Sequence, residues 1–168
     1  YGEMKQKNIL NLDKVFDALI DFKNKTGALA VALAQRGDFI GGKENNIVRG
    51  ELLKRKAMNS FICDTNMSFK FFGKINEDVN TYTLLGSRGN LFFQIPHVSL
   101  NQVATQQSNG GMTDIYLDSG TYVKSFYTIM YAPSCTKIRP MGSVYRRLHH
   151  NINWNNAIPK IIPENCKK

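Results

Sequence analysis

The sequence predicts an α+β fold in which an N-terminal amphipathic helix packs on an antiparallel β-sheet, followed by an irregular C-terminal segment. Three observations predict it. Apolar residues recur at helical spacing from Leu12 to Phe22, the spacing shortens toward two in the middle of the chain, and no period holds beyond Pro133. A chain of 168 residues can bury one sizeable core. With no repeat and no linker, it reads as a single domain over 1–168: helix about 11–35, strand-rich body about 66–132, C-terminal loop region 133–168.

In the helix, Asn11 is a good N-cap and Asp13 lies in the first turn, where the helix dipole favours an acid. Leu12, Val15, Phe16, Leu19 and Phe22 form the expected core face, and Lys23 and Lys25 precede Gly27, a stop arrangement. The alanine-rich run Ala28 to Ala34 is itself helix-forming, so Gly27 either ends the helix or only interrupts it before Gly37. Glu51 to Ser60 reads as a short helix. Ser68 to Ile75 reads as a strand, and Thr81 to Leu85 with Leu91 to Ile95 as a hairpin stopped by Pro96. Ser99 to Gln107 is helix-compatible, and Ile115 to Leu117 with Thr121 to Tyr131 is expected to form a second hairpin around Asp118-Ser119-Gly120. Aromatic and β-branched residues on both faces of the last segment point to an inner strand.

Composition narrows function less than fold. Hydrophobic residues are 42% and charged ones 21%, which argues against wholesale disorder. A net charge of +9 permits nucleic acid, an anionic glycan or a membrane surface as partner. No apolar run approaches the roughly 18 residues of a membrane span. The chain begins at Tyr1 without a signal peptide, so any membrane contact is expected through an upstream segment. Of the cysteines Cys63, Cys135 and Cys166, the last two sit in proline-flanked stretches, and a Cys135–Cys166 disulfide is expected, with three reduced thiols as the alternative.

Catalytic fingerprints are missing. The histidines His97, His149 and His150 lack the paired spacing of a zinc site, so no metal is expected, and no phosphate-loop, dinucleotide or Gly-x-Ser-x-Gly pattern occurs, so no cofactor is expected. His149-His150-Asn151 resembles His-Asn-His nucleases only locally. The basic residues carry more weight. Lys54, Arg55 and Lys56 form one cluster; Lys137, Arg139, Arg146, Arg147, His149 and His150, interleaved with Tyr145 and Trp154, form another. Cations beside stacking rings suit anionic-ligand binding. The expectation is a chain that is not an enzyme, with a nucleic-acid-binding protein or small nuclease using 137–154, or a viral or phage structural protein, as the alternatives.

The helix-to-loop stretch Leu12 to Leu29, ending in Thr26-Gly27, is similar to that of type IV pilins, above all the class b pilins and minor subunits. The order strand (Leu91 to Ile95), short helix (Ser99 to Ala104), strand with glycine turn (Ile115 to Gly120) is similar as well. Unlike those pilins, the 99–107 segment has no cysteine. The resemblance implies a structural or adhesive subunit of an extracellular or periplasmic filament. Its partners would be other filament subunits, with nucleic acid or an anionic surface as a further ligand.

Overall fold

The computed structural model of the chain describes residues 8–35, 60–101, 112–119, 122–141 and 147–157. It is an α+β fold with an N-terminal helix followed by strands. The elements are α1 (Leu12–Thr26), β1 (Ala30–Gln35), β2 (Phe61–Cys63), a 3-10 turn (Thr65–Met67), α2 (Glu77–Ser87), β3 (Phe92–Leu100), α3 (Thr113–Ser119), α4 (Tyr122–Tyr131), β4 (Thr136–Met141) and β5 (Arg147–Ile152).

Both ends of α1 follow from their residues. The Asn11 side chain accepts the Lys14 N–H at 3.1 Å. Gly27 adopts a left-handed φ of 66° and returns its N–H to the Lys23 carbonyl at 3.0 Å, which closes the helix. Leu19 is buried, and Val15 and Phe22 pack beside it against Val31, Leu33, Phe93 and Ile95. Leu12 and Phe16, assigned to the same face by spacing, are 50% and 40% exposed. The buried Lys23 ammonium lies 3.8 Å from the Asp64 carboxylate, tying α1 to the turn after β2.

Gly27 ends the helix, and the alanine run is a strand. β1 sits between β2, antiparallel, and β3, parallel, so the sheet is mixed with order β2-β1-β3. Ala30, Val31, Ala32 and Ala34 are all completely buried. Ala30 joins a cluster with Val79, Tyr82 and Phe92 of α2 and β3, whereas Val31 joins the α1 cluster. A strand covered on both faces shows no polar alternation, so its sequence looks like that of a buried helix. β3 also runs past Pro96 to Leu100. The register jumps from Leu33↔Ile95 to Ala34↔Ser99, and this irregularity absorbs the missing proline N–H.

Several expected strands are helices. Thr81 to Leu85 lies inside α2, and the described part of the expected strand Thr121 to Tyr131 is α4, Tyr122–Tyr131. The aromatic residues of α4 obscure its helical signal, which sits in Ser125, Thr128 and Ala132, small residues at spacings of three and four that are all buried. Ile115 to Leu117 belongs to α3. Ser68 to Ile75 forms no ladder: Phe69 and Phe71 alternate because they pack with Phe61 and Phe92, and α2 side chains hold the backbone. Thr81 accepts the Phe72 N–H at 2.9 Å, and the Asn80 amide donates to the Phe72 and Ile75 carbonyls, each at 3.0 Å. Beyond Pro133, where an irregular segment was expected, the described residues form the antiparallel pair β4–β5, against which α4 packs. The expected helix over 51–60 and most of that over 99–107 lie outside the described residues.

Two glycines at positive φ should separate strain from crowding. At Gly27 an added Cβ meets nothing within 4 Å, so Gly27→Ala is expected to cost about 1 kcal/mol from backbone strain alone. At Gly73, with φ of 83°, a Cβ would lie 3.0 Å from the Tyr131 ring and 3.1 Å from the Asn80 amide, so Gly73→Ala should cost clearly more. Urea unfolding of both variants measures the difference.

Candidate functional site

The polar chemistry gathers where the amino end of α2 meets α4 and β5. α2 opens at Asn76, whose φ of 57° is the only positive non-glycine value among the described residues. Asparagine tolerates this region better than most side chains. Here its side chain does not cap its own helix. The amide nitrogen instead reaches Thr128 Oγ1 on α4 and His150 Nδ1 on β5, the latter at 3.3 Å. Asn76 and Thr128 are buried, and the Ser125 hydroxyl, one turn along α4, donates to the Leu148 carbonyl at 3.2 Å.

These contacts fix a protonation state. The amide nitrogen has two hydrogens, enough for both partners, so Nδ1 of His150 must present its lone pair and the ring proton sits on Nε2. Burial, reinforced by His149 and Lys124, pulls the His150 pKa down to about 3, so the imidazole is neutral at ordinary pH. Two residues into α2, Asp78 is raised above its usual range by burial, against the lowering pull of backbone N–H groups and Lys124. Lys124 thus acts on both groups. Burial, with Asp78 adding to it, likewise pushes the Tyr82 phenol well up, and that ring stacks on Trp154 at 5.7 Å.

An open groove of about 530 Å³ lies elsewhere, where Leu29 bonds to Leu91 at the amino ends of β1 and β3. Leu29, Met67, Phe69, Phe72 and Leu85 make it apolar, and none of the described residues lining it carries a carboxylate or imidazole. Among the described residues no three His, Cys, Asp or Glu come together to hold a metal ion.

The residues singled out by sequence scatter. Lys54, Arg55, Lys56, Arg146 and Cys166 lie outside the described residues. Arg139 is exposed on β4 opposite His149, and Arg147 opens β5. His149 and His150 are half-buried with ring centroids 4.2 Å apart. Trp154 is occupied in the core against Tyr82. Cys135 is a free thiol, buried beside Ala132 and Ala157, and burial raises its pKa. The cluster residues Asn76, Asp78, Lys124 and Thr128 carry no motif, because they come together only through the packing of α2 on α4 and β5. The one local signal was Glu77-Asp78 after Asn76, an acidic helix start hidden by the strand-like residues that follow.

Residues 2–111 match the family model described as TAGT, TET-Associated Glycosyltransferase. The match takes in well over half of the 168 residues, and the chain belongs to this family. No curated protein and no solved structure matches it. The resemblance to type IV pilins is thereby overturned, and with it the filament subunit, the adhesive role and the expectation that the chain is not an enzyme. The match supports neither the nucleic-acid-binding or nuclease alternative nor the viral one. Helix-strand order is shared by many unrelated folds, which is why it misled. Among the described residues no helix is long and apolar enough to cross a membrane.

The buried imidazole makes stability depend on pH. Its folded pKa of about 3 lies below the ordinary 6.5, so the contribution is intact above pH 6.5 and is lost progressively as pH falls toward 3. The shift amounts to on the order of 3 kcal/mol by pH 4. Asp78, whose folded pKa is raised, offsets part of this at the acid end. Urea unfolding at pH 7 and pH 4.5 should show a steeper acid loss for the wild type than for His150→Gln; equal slopes would contradict the buried neutral imidazole.

Proposed function

We propose that the chain is the catalytic domain, or part of one, of an enzyme that moves a sugar from an activated donor to an acceptor hydroxyl. The family match carries this reading. Glycosyl transfer needs a sugar with a good leaving group, and a nucleoside diphosphate is the donor class that fits an α+β domain with a parallel strand pair. β1 and β3 run parallel and end side by side at Gln35 and Leu100. In open sheets with parallel strands, ligands sit beyond the carboxyl ends. The acid/base cluster is a second element such a reaction requires, because the attacking hydroxyl must lose its proton as the new bond forms.

The direct test is turnover. The protein is incubated with UDP-glucose, UDP-N-acetylglucosamine or GDP-mannose, with and without magnesium, and release of the nucleoside diphosphate is followed. Release with at least one donor, well above the rate without protein, is expected even with water as acceptor. Neither release nor binding with any of the three would count decisively against the reading.

A further inference from the structure

We propose that the apolar groove bordered by residues 68–70 docks an extended peptide segment of a partner protein. The segment carries apolar side chains at alternate positions and a carboxylate that faces Lys70. The groove lies at the other end of β1 from the donor position: Leu29, just before the strand, borders it, whereas Gln35 closes the strand. Docking there is independent of the glycosyltransferase reading.

Three features of the groove point to a peptide. The first is its shape and lining. A space of about 530 Å³ has room for several side chains, and Leu29, Met67, Phe69, Phe72 and Leu85 line it. Met67 is 45% exposed, and Phe71, whose ring lies 5.5 Å from that of Phe69, is 44% exposed. Contiguous apolar surface of this kind marks an interaction site.

The second feature is the backbone. Ser68 is extended, with φ of −64° and ψ of 142°. Phe69 and Phe71 turn their rings to one partner, Phe61, each at 6.0 Å. Alternate side chains on one side are the mark of an extended chain. Yet this chain joins no sheet: the N–H and C=O groups of residues 68–71 make no hydrogen bond among the described residues. Pairing resumes at Phe72, whose N–H reaches Thr81 and whose carbonyl accepts from Asn80. An extended segment with open donors and acceptors beside an apolar trough is completed by a second extended chain.

Charge is the third. Lys70, exposed between the two phenylalanines, is the only charged residue among the described lining groups. One ammonium beside an apolar wall favours a chain with a single well-placed carboxylate. A nucleic acid would require several cations along its phosphates. A purely apolar molecule would cover the backbone groups and Lys70 without pairing them, which is costly.

Random peptides about ten residues long, displayed on phage and panned on the full chain, supply the probe, and fluorescence anisotropy then measures the enriched peptide. Sequences with apolar residues at every second position and an Asp or Glu among them are expected to emerge. Met67→Asp, a charge at the exposed rim, should weaken the enriched peptide by about 10-fold or more. Lys70→Glu should weaken it as well, and exchanging the peptide's acid for lysine should restore binding to Lys70→Glu, a rescue that a disturbed fold would not give. A peptide methylated at alternate backbone nitrogens should fail in one register and bind in the other, because only one edge of a strand faces its partner. Equal affinity of the two registers overturns the proposal. So does an absence of enrichment over panning without protein, or an enriched peptide that binds both variants within about 2-fold of wild type. Saturable binding of octanoate with no peptide enriched would make the groove a pocket for small apolar acids and reject the peptide.

Discussion

The architecture depends on how β1 is buried. A strand paired on both edges and covered on both faces has no route to solvent, so its side chains must be small or apolar. Alanine at 30, 32 and 34 meets that demand and lets neighbouring layers approach closely. On one side Leu19 and Phe22 of α1 descend onto Val31; on the other Val79 and Tyr82 of α2 close over Ala30. The position of α2, and with it the polar cluster at its amino end, is inherited from that close contact. A larger residue at 30 would push α2 outward and strain the bonds Asn76 makes beyond it.

Those bonds tie the start of α2 to α4 and β5. Most helices of this length use a side chain at the N-cap to satisfy their own first N–H groups. α2 forgoes this: Asn76 spends its amide on Thr128 and His150. The helix loses a local cap and gains a fixed position against α4 and β5. Acidic residues in the first turn, Glu77 and Asp78, offset part of that loss through the helix dipole. The dipole and the backbone N–H groups pull Asp78 toward ionisation while burial pushes the other way, and burial dominates.

Much of the fold was legible where local chemistry decides it. Asn11, Asp13 and Gly27 mark the ends of α1 because caps act within a few residues. The mixed α+β class also followed from period alone. Legibility failed where tertiary contacts set the conformation. α2 buries polar residues, Asn80, Thr81 and Thr83 among them, so it shows no apolar stripe. Asn80 and Thr83 each keep a buried oxygen without a partner among the described residues, a cost that no sequence rule anticipates. In α4 the large aromatic residues face outward or sideways while Ser125 and Thr128 form the contact. The site was least visible of all. His150 was singled out as one of several cations on a basic surface, yet its surroundings remove its charge.

That loss of charge has a chemical consequence at the junction. Burial acts on Asp78 and His150 with opposite signs of shift but one effect, since both are driven toward the neutral form. Lys124 strengthens the effect on the histidine and opposes it on the aspartate. The imidazole, bound through Nδ1, keeps its Nε2–H as a donor throughout. The buried amide of Asn76 holds this balance in place by fixing which ring nitrogen carries the proton.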